Sequence, residues 1–178
     1  MINLFIGNLG HLFVILAFIL SLASAFSYFR VTRINDLEKQ KEWTINGRSL
    51  FYLHSFFVVG VIVVMFLIIY QHRFEYHYAY SHASKYLPVH YMISCFWEGQ
   101  EGSFLLWIFW TCVLGIVLIK TNKTWEAPMM VIFVIVQAFL ASMILGISIF
   151  EIKIGSFTFM ILRDVLSDPF FALYNDFL

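Results

Sequence analysis

Apolar residues fall in four long runs along the chain, at 4–29, 50–70, 104–119 and 129–150, with the polar residues gathered between them. At 1.5 Å of helical rise per residue, the second and fourth runs reach about 30 Å, the thickness of a bilayer's hydrocarbon core. The first is several residues longer than a span needs, so it tilts or extends into the interface. The third covers only about 24 Å, which predicts that the polar residues just before it sit low in the headgroup region. The pattern predicts an all-α membrane protein with four transmembrane helices. Composition adds the reason: 61% of the 178 residues are hydrophobic and 12% charged, too much apolar surface for one water-soluble core of this size. Met1 to Asn3 carries no basic side chain, so the first run is expected to be a retained span and not a signal peptide.

Basic residues set the orientation. The connection at 30–49 holds Arg30, Arg33, Lys39, Lys41 and Arg48, whereas the longer one at 71–103 holds only Arg73 and Lys85. The positive-inside rule makes the first a cytoplasmic loop and the second a periplasmic one. Alternation then puts the N-terminus and the tail at 151–178 in the periplasm, and the short turn with Lys120 and Lys123 in the cytoplasm, for a bacterial inner membrane protein. The periplasmic loop carries Tyr76, Tyr78, Tyr80, Tyr86, Tyr91 and Trp97, rings that settle among headgroups, so it is expected to lie on the membrane. The tail alternates from Phe150 to Lys153 and then mixes Leu162, Arg163, Asp164, Asp168 and Pro169, which suggests an interfacial strand-like or short helical segment. The formal charge is zero, which leaves no electrostatic footprint for nucleic acid; membrane lipid is the partner that composition requires.

Of six histidines, His11 and His54 fall inside predicted spans. His11 is expected about two turns below one end of the first span and His54 about one turn above the other end of the second. Their axial separation of roughly 12 Å or more would keep them from ligating one haem. His54 reads as a first-turn polar residue satisfied by a neighbouring helix or interfacial water, and His11 as a packing contact made possible by Gly7 and Gly10. His72, His77, His82 and His90 have no metal-motif spacing. Cys95 and Cys112 are too far apart along a helical chain to pair and are expected to pack as small hydrophobes. Thr111, Gln137 and a few serines complete the polar groups within the spans; no buried Asp, Glu, Lys or Arg is expected to mark an ion path. The sharpest local feature runs from Trp97 to Trp107. Its Gly99 and Gly102 permit a tight turn, and Glu101 and Ser103 stand where the next helix exposes free N–H groups and the positive end of its dipole. It reads either as a capped helix start between interfacial tryptophans or as a polar shelf for a cofactor or partner.

Three strings together resemble the CcmF/NrfE family, the membrane haem lyases of cytochrome c maturation, in their Bacteroidetes-like form. Leu9-Gly10-His11 is similar to the family's opening, with Asn8 in place of the usual glutamate. Tyr78, Leu87, Pro88 and Tyr91 fit a tyrosine-to-Leu-Pro pattern, although 81–84 departs from the Asn-Ser-Asn of many relatives. Trp97, Gly99, Glu101, Gly102, Ser103, Leu105, Leu106 and Trp107 fit Trp-x-Gly-x-Glu-Gly-Ser-x-Leu-Leu-Trp in full. The resemblance covers nearly the whole chain. It implies the N-terminal part of a haem-lyase subunit, supporting haem delivery and attachment to apocytochrome c. The implied partners are the remainder of that subunit, other maturation proteins, a periplasmic haem carrier and apocytochrome c. The family's haem ligands and tryptophan-rich segment come later than the region resembled, so the haem ligands are expected outside this chain, and the chain is expected to be a fragment, a truncated frame or a split-gene product. His11, Tyr78, Pro88, Trp97, Gly99, Glu101, Gly102, Ser103 and Trp107 are expected to shape structure or face a partner. The alternative function is a small membrane scaffold or transport protein without catalysis of its own.

Overall fold

The computed structural model describes residues 5–84, 88–149, 152–154, 156, 158 and 159. Four long helices dominate: α1 (Phe5–Arg33), α2 (Leu37–Tyr70), α5 (Gln100–Thr121) and α6 (Glu126–Leu145). Two short ones, α3 (His77–His82) and α4 (Val89–Cys95), lie between α2 and α5. The long helices close a ring in which α1 packs on α2 and α6, and α5 on α6 and α2. The α1/α2 and α5/α6 connections span 34–36 and 122–125, so neighbours run antiparallel and both tight turns sit at one end, called here the basic end.

Lipid cannot drive helices together hydrophobically, so close van der Waals approach must do it. The buried seam of α1 is Gly7, Gly10, Val14, Ala17, Ser21, Ser24, Tyr28 and Val31, spaced alternately by three and four residues. The facing seam of α2 repeats that rhythm with Gly47, Phe51, His54, Val58, Val61, Met65 and Ile68. An average period of 3.5 residues keeps two seams in register over their length. Small residues on α2 admit large ones on α1: a Cβ at Gly47 would stand 3.1 Å from the Tyr28 ring, and one at Gly60 2.7 Å from Phe13. Outward faces are just as apolar, with Ile19, Phe26, Phe56, Trp110, Ile132 and Phe139 all more than half exposed. Only 33–44% of the most apolar stretch of each long helix is buried within the protein; the rest faces lipid. This is a multi-pass membrane protein.

The helices are not bounded where hydropathy alone puts them. Most of 30–49, expected as a loop, is helical: α1 continues to Arg33 and α2 starts at Leu37. The Asp36 side chain accepts from the Glu38 amide at 3.0 Å and caps α2. The extension is held because Trp43 packs edge-on against Phe26 and lies under the Arg30 guanidinium, 5.5 Å from the ring centre. At 34 residues α2 is about 51 Å long and projects well past the hydrocarbon. α5 takes in the polar Gln100–Ser103 stretch ahead of the third apolar run, and α6 stops five residues short of the end of the fourth. Gly146 adopts φ 64°, a left-handed stop. Ile147–Ile149 (β1) then pairs antiparallel with Ile152–Ile154 (β2), Ile147 opposite Ile154, so the strand-like character expected of the tail begins inside the predicted span. The Ser156 amide and the Thr158 hydroxyl return to the Met143 and Ile144 carbonyls at 2.8 and 3.0 Å, satisfying oxygens at the end of α6. Tyr86, Leu87 and the remainder of the expected tail, with Leu162, Arg163, Asp164, Asp168 and Pro169, lie outside the described residues.

Candidate functional site

Opposite the basic end, α3, α4, the turn at 96–99 and the first turn of α5 form a shelf built around one phenol. Tyr78 is buried, and its hydroxyl is shared between the carbonyls of Phe96, at 2.8 Å, and Cys95, at 3.1 Å, while accepting from the Gly99 amide at 3.3 Å. Its ring stacks on His82 with centroids 4.5 Å apart. A Cβ at Gly99 would come within 2.5 Å of that ring, and one at Gly102 within 1.6 Å of the Phe96 oxygen. The two glycines are therefore needed for close approach as well as for turning. The neighbouring Tyr76 hydroxyl accepts from the Gly7 amide at 3.0 Å, tying the start of α1 to the shelf.

The expected capping of α5 takes a different form. Gly99 occupies the N-cap with no side-chain hydrogen bond, and the Ser103 hydroxyl donates to the Trp97 carbonyl at 3.0 Å, bonding the helix back to the turn. Glu101 keeps the first-turn position that the dipole favours. Trp97 and Trp107 are exposed, Pro88 is the N-cap of α4, and His11 lies half-buried on α1. Tyr78, Gly99, Glu101, Gly102 and Ser103 thus converge, Trp97 flanks them, and His11, Pro88 and Trp107 stand apart. Burial raises the Tyr78 phenol above its ordinary range, with Glu101 adding to the shift. Burial, then Glu98, likewise raises the Cys95 thiol. Both cysteines are free and buried. An entirely apolar groove of about 340 Å³ runs beside the shelf between α2 and α4, walled by Phe66, Leu67, Ile93, Phe96 and Trp97.

Two polar clusters within the bundle were not legible in the sequence. At the basic end, Glu126 is buried and receives two hydrogen bonds of 2.6 Å from Arg48 Nε and Nη2, with the Tyr28 hydroxyl 3.3 Å from Oε1. A polar cleft of about 450 Å³ with Thr32, Gln40, Thr44 and Lys123 opens beside it. This overturns the expectation of no buried acid or base: hydropathy assigned Arg48 and Glu126 to connections, whereas the folded helices carry them into contact. Opposite charges at the mouths of two spans on one side were the available signal. The second cluster surrounds His54, which is not a first-turn residue. Because α2 starts at Leu37, His54 is its eighteenth residue, fully buried, with Nδ1 2.8 Å from the Ala17 oxygen in the middle of α1.

That contact places His54 only about 9 Å along the bundle from His11, six residues from Ala17, closer than the roughly 12 Å expected. Among the described residues no three His, Cys, Asp or Glu side chains gather to hold a metal. The Nδ1 atoms of His54 and His82 are engaged by main-chain oxygens and His77 Nε2 by Ser81. No known protein family, curated protein or solved structure matches the chain. The fold and the two ends define the class: an all-α, multi-pass membrane protein, an antiparallel four-helix bundle with an aromatic shelf at one end and a buried ion pair at the other.

Proposed function

We infer that this bundle is the N-terminal membrane region of a haem-lyase subunit of the cytochrome c maturation type, in a bacterial inner membrane with the shelf facing the periplasm. Its role is supporting: haem is cargo, handed from a periplasmic carrier towards apocytochrome c, and its ligands belong to the remainder of the subunit. One observation carries the reading. Gly99 and Gly102 of the Trp97–Trp107 string, which resembles the family's motif, pack against Tyr78, itself a position of the resemblance. Residues 18 or more apart in sequence are thereby joined at one surface, beside an apolar groove walled in part by Trp97. Orientation is supported by Arg30, Arg33, Lys39, Lys41, Arg48, Lys120 and Lys123 all falling at the basic end.

Co-expression of the chain with a C-terminal haem-lyase portion, in a strain lacking the subunit, is the test. Restored covalent cytochrome c is the expected outcome, and its failure with a stably accumulated pair sinks the reading. A transport function draws support from His54, Gln137 and Glu126, all buried inside the bundle. Solute uptake or conductance by the purified chain in proteoliposomes would favour that reading instead.

A further inference from the structure

Midway between the two ends, each of the four long helices contributes a polar group to one dry spot. His54 Nδ1 in α2 faces the Ala17 oxygen in α1 at 2.8 Å. A carbonyl only accepts, so Nδ1 carries the hydrogen, and Nε2 of the neutral ring is a bare acceptor. Gln137 in α6 donates from its amide nitrogen to the Ile108 oxygen and the Cys112 sulfur in α5, each at 3.0 Å. The Ile108 carbonyl fixes which end of the amide is nitrogen, because turning it over would set oxygen against oxygen. The Gln137 side chain lies within hydrogen-bonding reach of the His54 imidazole. Yet His54 Nε2 and Gln137 Oε1 are both buried without a hydrogen-bond partner. A bare acceptor in such an interior forfeits the hydrogen bond it would make in water. Two acceptors cannot satisfy one another; only a hydrogen between them can.

We propose that the gap between His54 Nε2 and Gln137 Oε1 is an intramembrane binding site for a mobile hydrogen, held either as a proton on His54 or as the O–H groups of one bridging water. In the first case Nε2–H donates to Oε1 and the ring becomes an imidazolium. In the second, one water donates to both acceptors and the ring stays neutral. The neighbouring groups among the described residues are dipolar. They comprise the Ala17 carbonyl on α1, Ser55 and the Phe51 ring on α2, the Cys112 thiol on α5 and the Gln137 amide on α6. Arg48, six residues earlier in α2, is about 9 Å away along the axis, and Glu126, eleven residues before Gln137 in α6, about 16 Å. Either occupant links α2 to α6 across the bundle, so filling the site stiffens it.

Nitrogen-15 NMR of the full chain in lipid nanodiscs, with labelled histidine, decides the matter. The His54 signal is assigned by its loss in His54→Gln. Should that variant not fold, a chain with His11, His72, His77, His82 and His90 replaced by Gln leaves His54 as the sole label. A proton is shown by Nε2 moving to a protonated position between mildly alkaline and mildly acidic pH while Nδ1–H stays in place. A water is shown by a non-titrating, hydrogen-bonded Nε2 with a cross-peak to long-lived water. Either signature should vanish in Gln137→Leu and persist in Ser55→Ala. An Nε2 that stays bare at every pH with no water cross-peak, or a signature unmoved by Gln137→Leu, overturns the proposal.

Discussion

A methyl group added at residue 102 has nowhere to go. Its carbon would lie 1.6 Å from the Phe96 carbonyl oxygen, which is main chain and cannot swing aside. Gly102→Ala should therefore destabilise the shelf by about 3 kcal/mol, read as a lowered unfolding midpoint in detergent. Gly60→Ala meets only the movable edge of Phe13, at 2.7 Å, and should cost clearly less. Tyr78 offers a second check. Its phenol is raised above the ordinary range, so the folded shelf holds that proton more tightly than the unfolded chain does. The stability this contributes is complete below the unfolded pKa of about 10 and is lost as pH rises beyond it. An ultraviolet titration of tyrosinate absorbance, run on the chain and on Tyr78→Phe, reads this out. The Tyr78 contribution should appear only as the shelf opens at higher pH, and should be missing in Tyr78→Phe.

At the scale of helices, the clamp between α2 and α6 is Arg48 on Glu126. The carboxylate is 3% exposed and the guanidinium 31%, so the pair is largely shielded on one side and wet on the other. Removing one partner leaves the other in a poor environment, and Glu126→Leu should cost about 2–3 kcal/mol. The double variant Arg48→Met with Glu126→Leu removes both charges and should recover at least half of that loss in the same unfolding assay. A double variant no better than the single one would show that the packing of Tyr28 and Phe51, not charge, holds this end together. The four spans were legible as elements because a run of about 20 apolar residues has few other uses. Their ends were not. Leu37–Ser49 is helical among polar residues because Asp36 caps it and Trp43 finds Phe26 and Arg30 across the hairpin. The two Trp43 contacts link residues 13 or more apart, which a hydropathy window does not see.

For the whole molecule, the distribution of lysine and arginine predicts which end faces which compartment. A single cysteine placed at Trp97 in a chain with Cys95 and Cys112 replaced by Ala should react with a membrane-impermeant maleimide added to intact cells, and one at Lys41 only after lysis. The reverse pattern would invert the molecule and remove the shelf from the side where the proposed function needs it. The sequence by itself determined that the chain lives in lipid, that it crosses four times, and that the Trp97–Trp107 string is its most specific feature. Those properties are sums over neighbouring residues, and a sum along the chain survives without knowledge of the fold. Tertiary structure alone decided that Gly99 and Gly102 exist to admit Tyr78, that Glu126 meets Arg48, and that His54 faces Gln137 in the dry centre of the bundle. Each of these depends on the rotation and axial offset of one helix against another. A shift of a few ångströms along a seam would replace every such pair, and no local pattern in the chain encodes that offset.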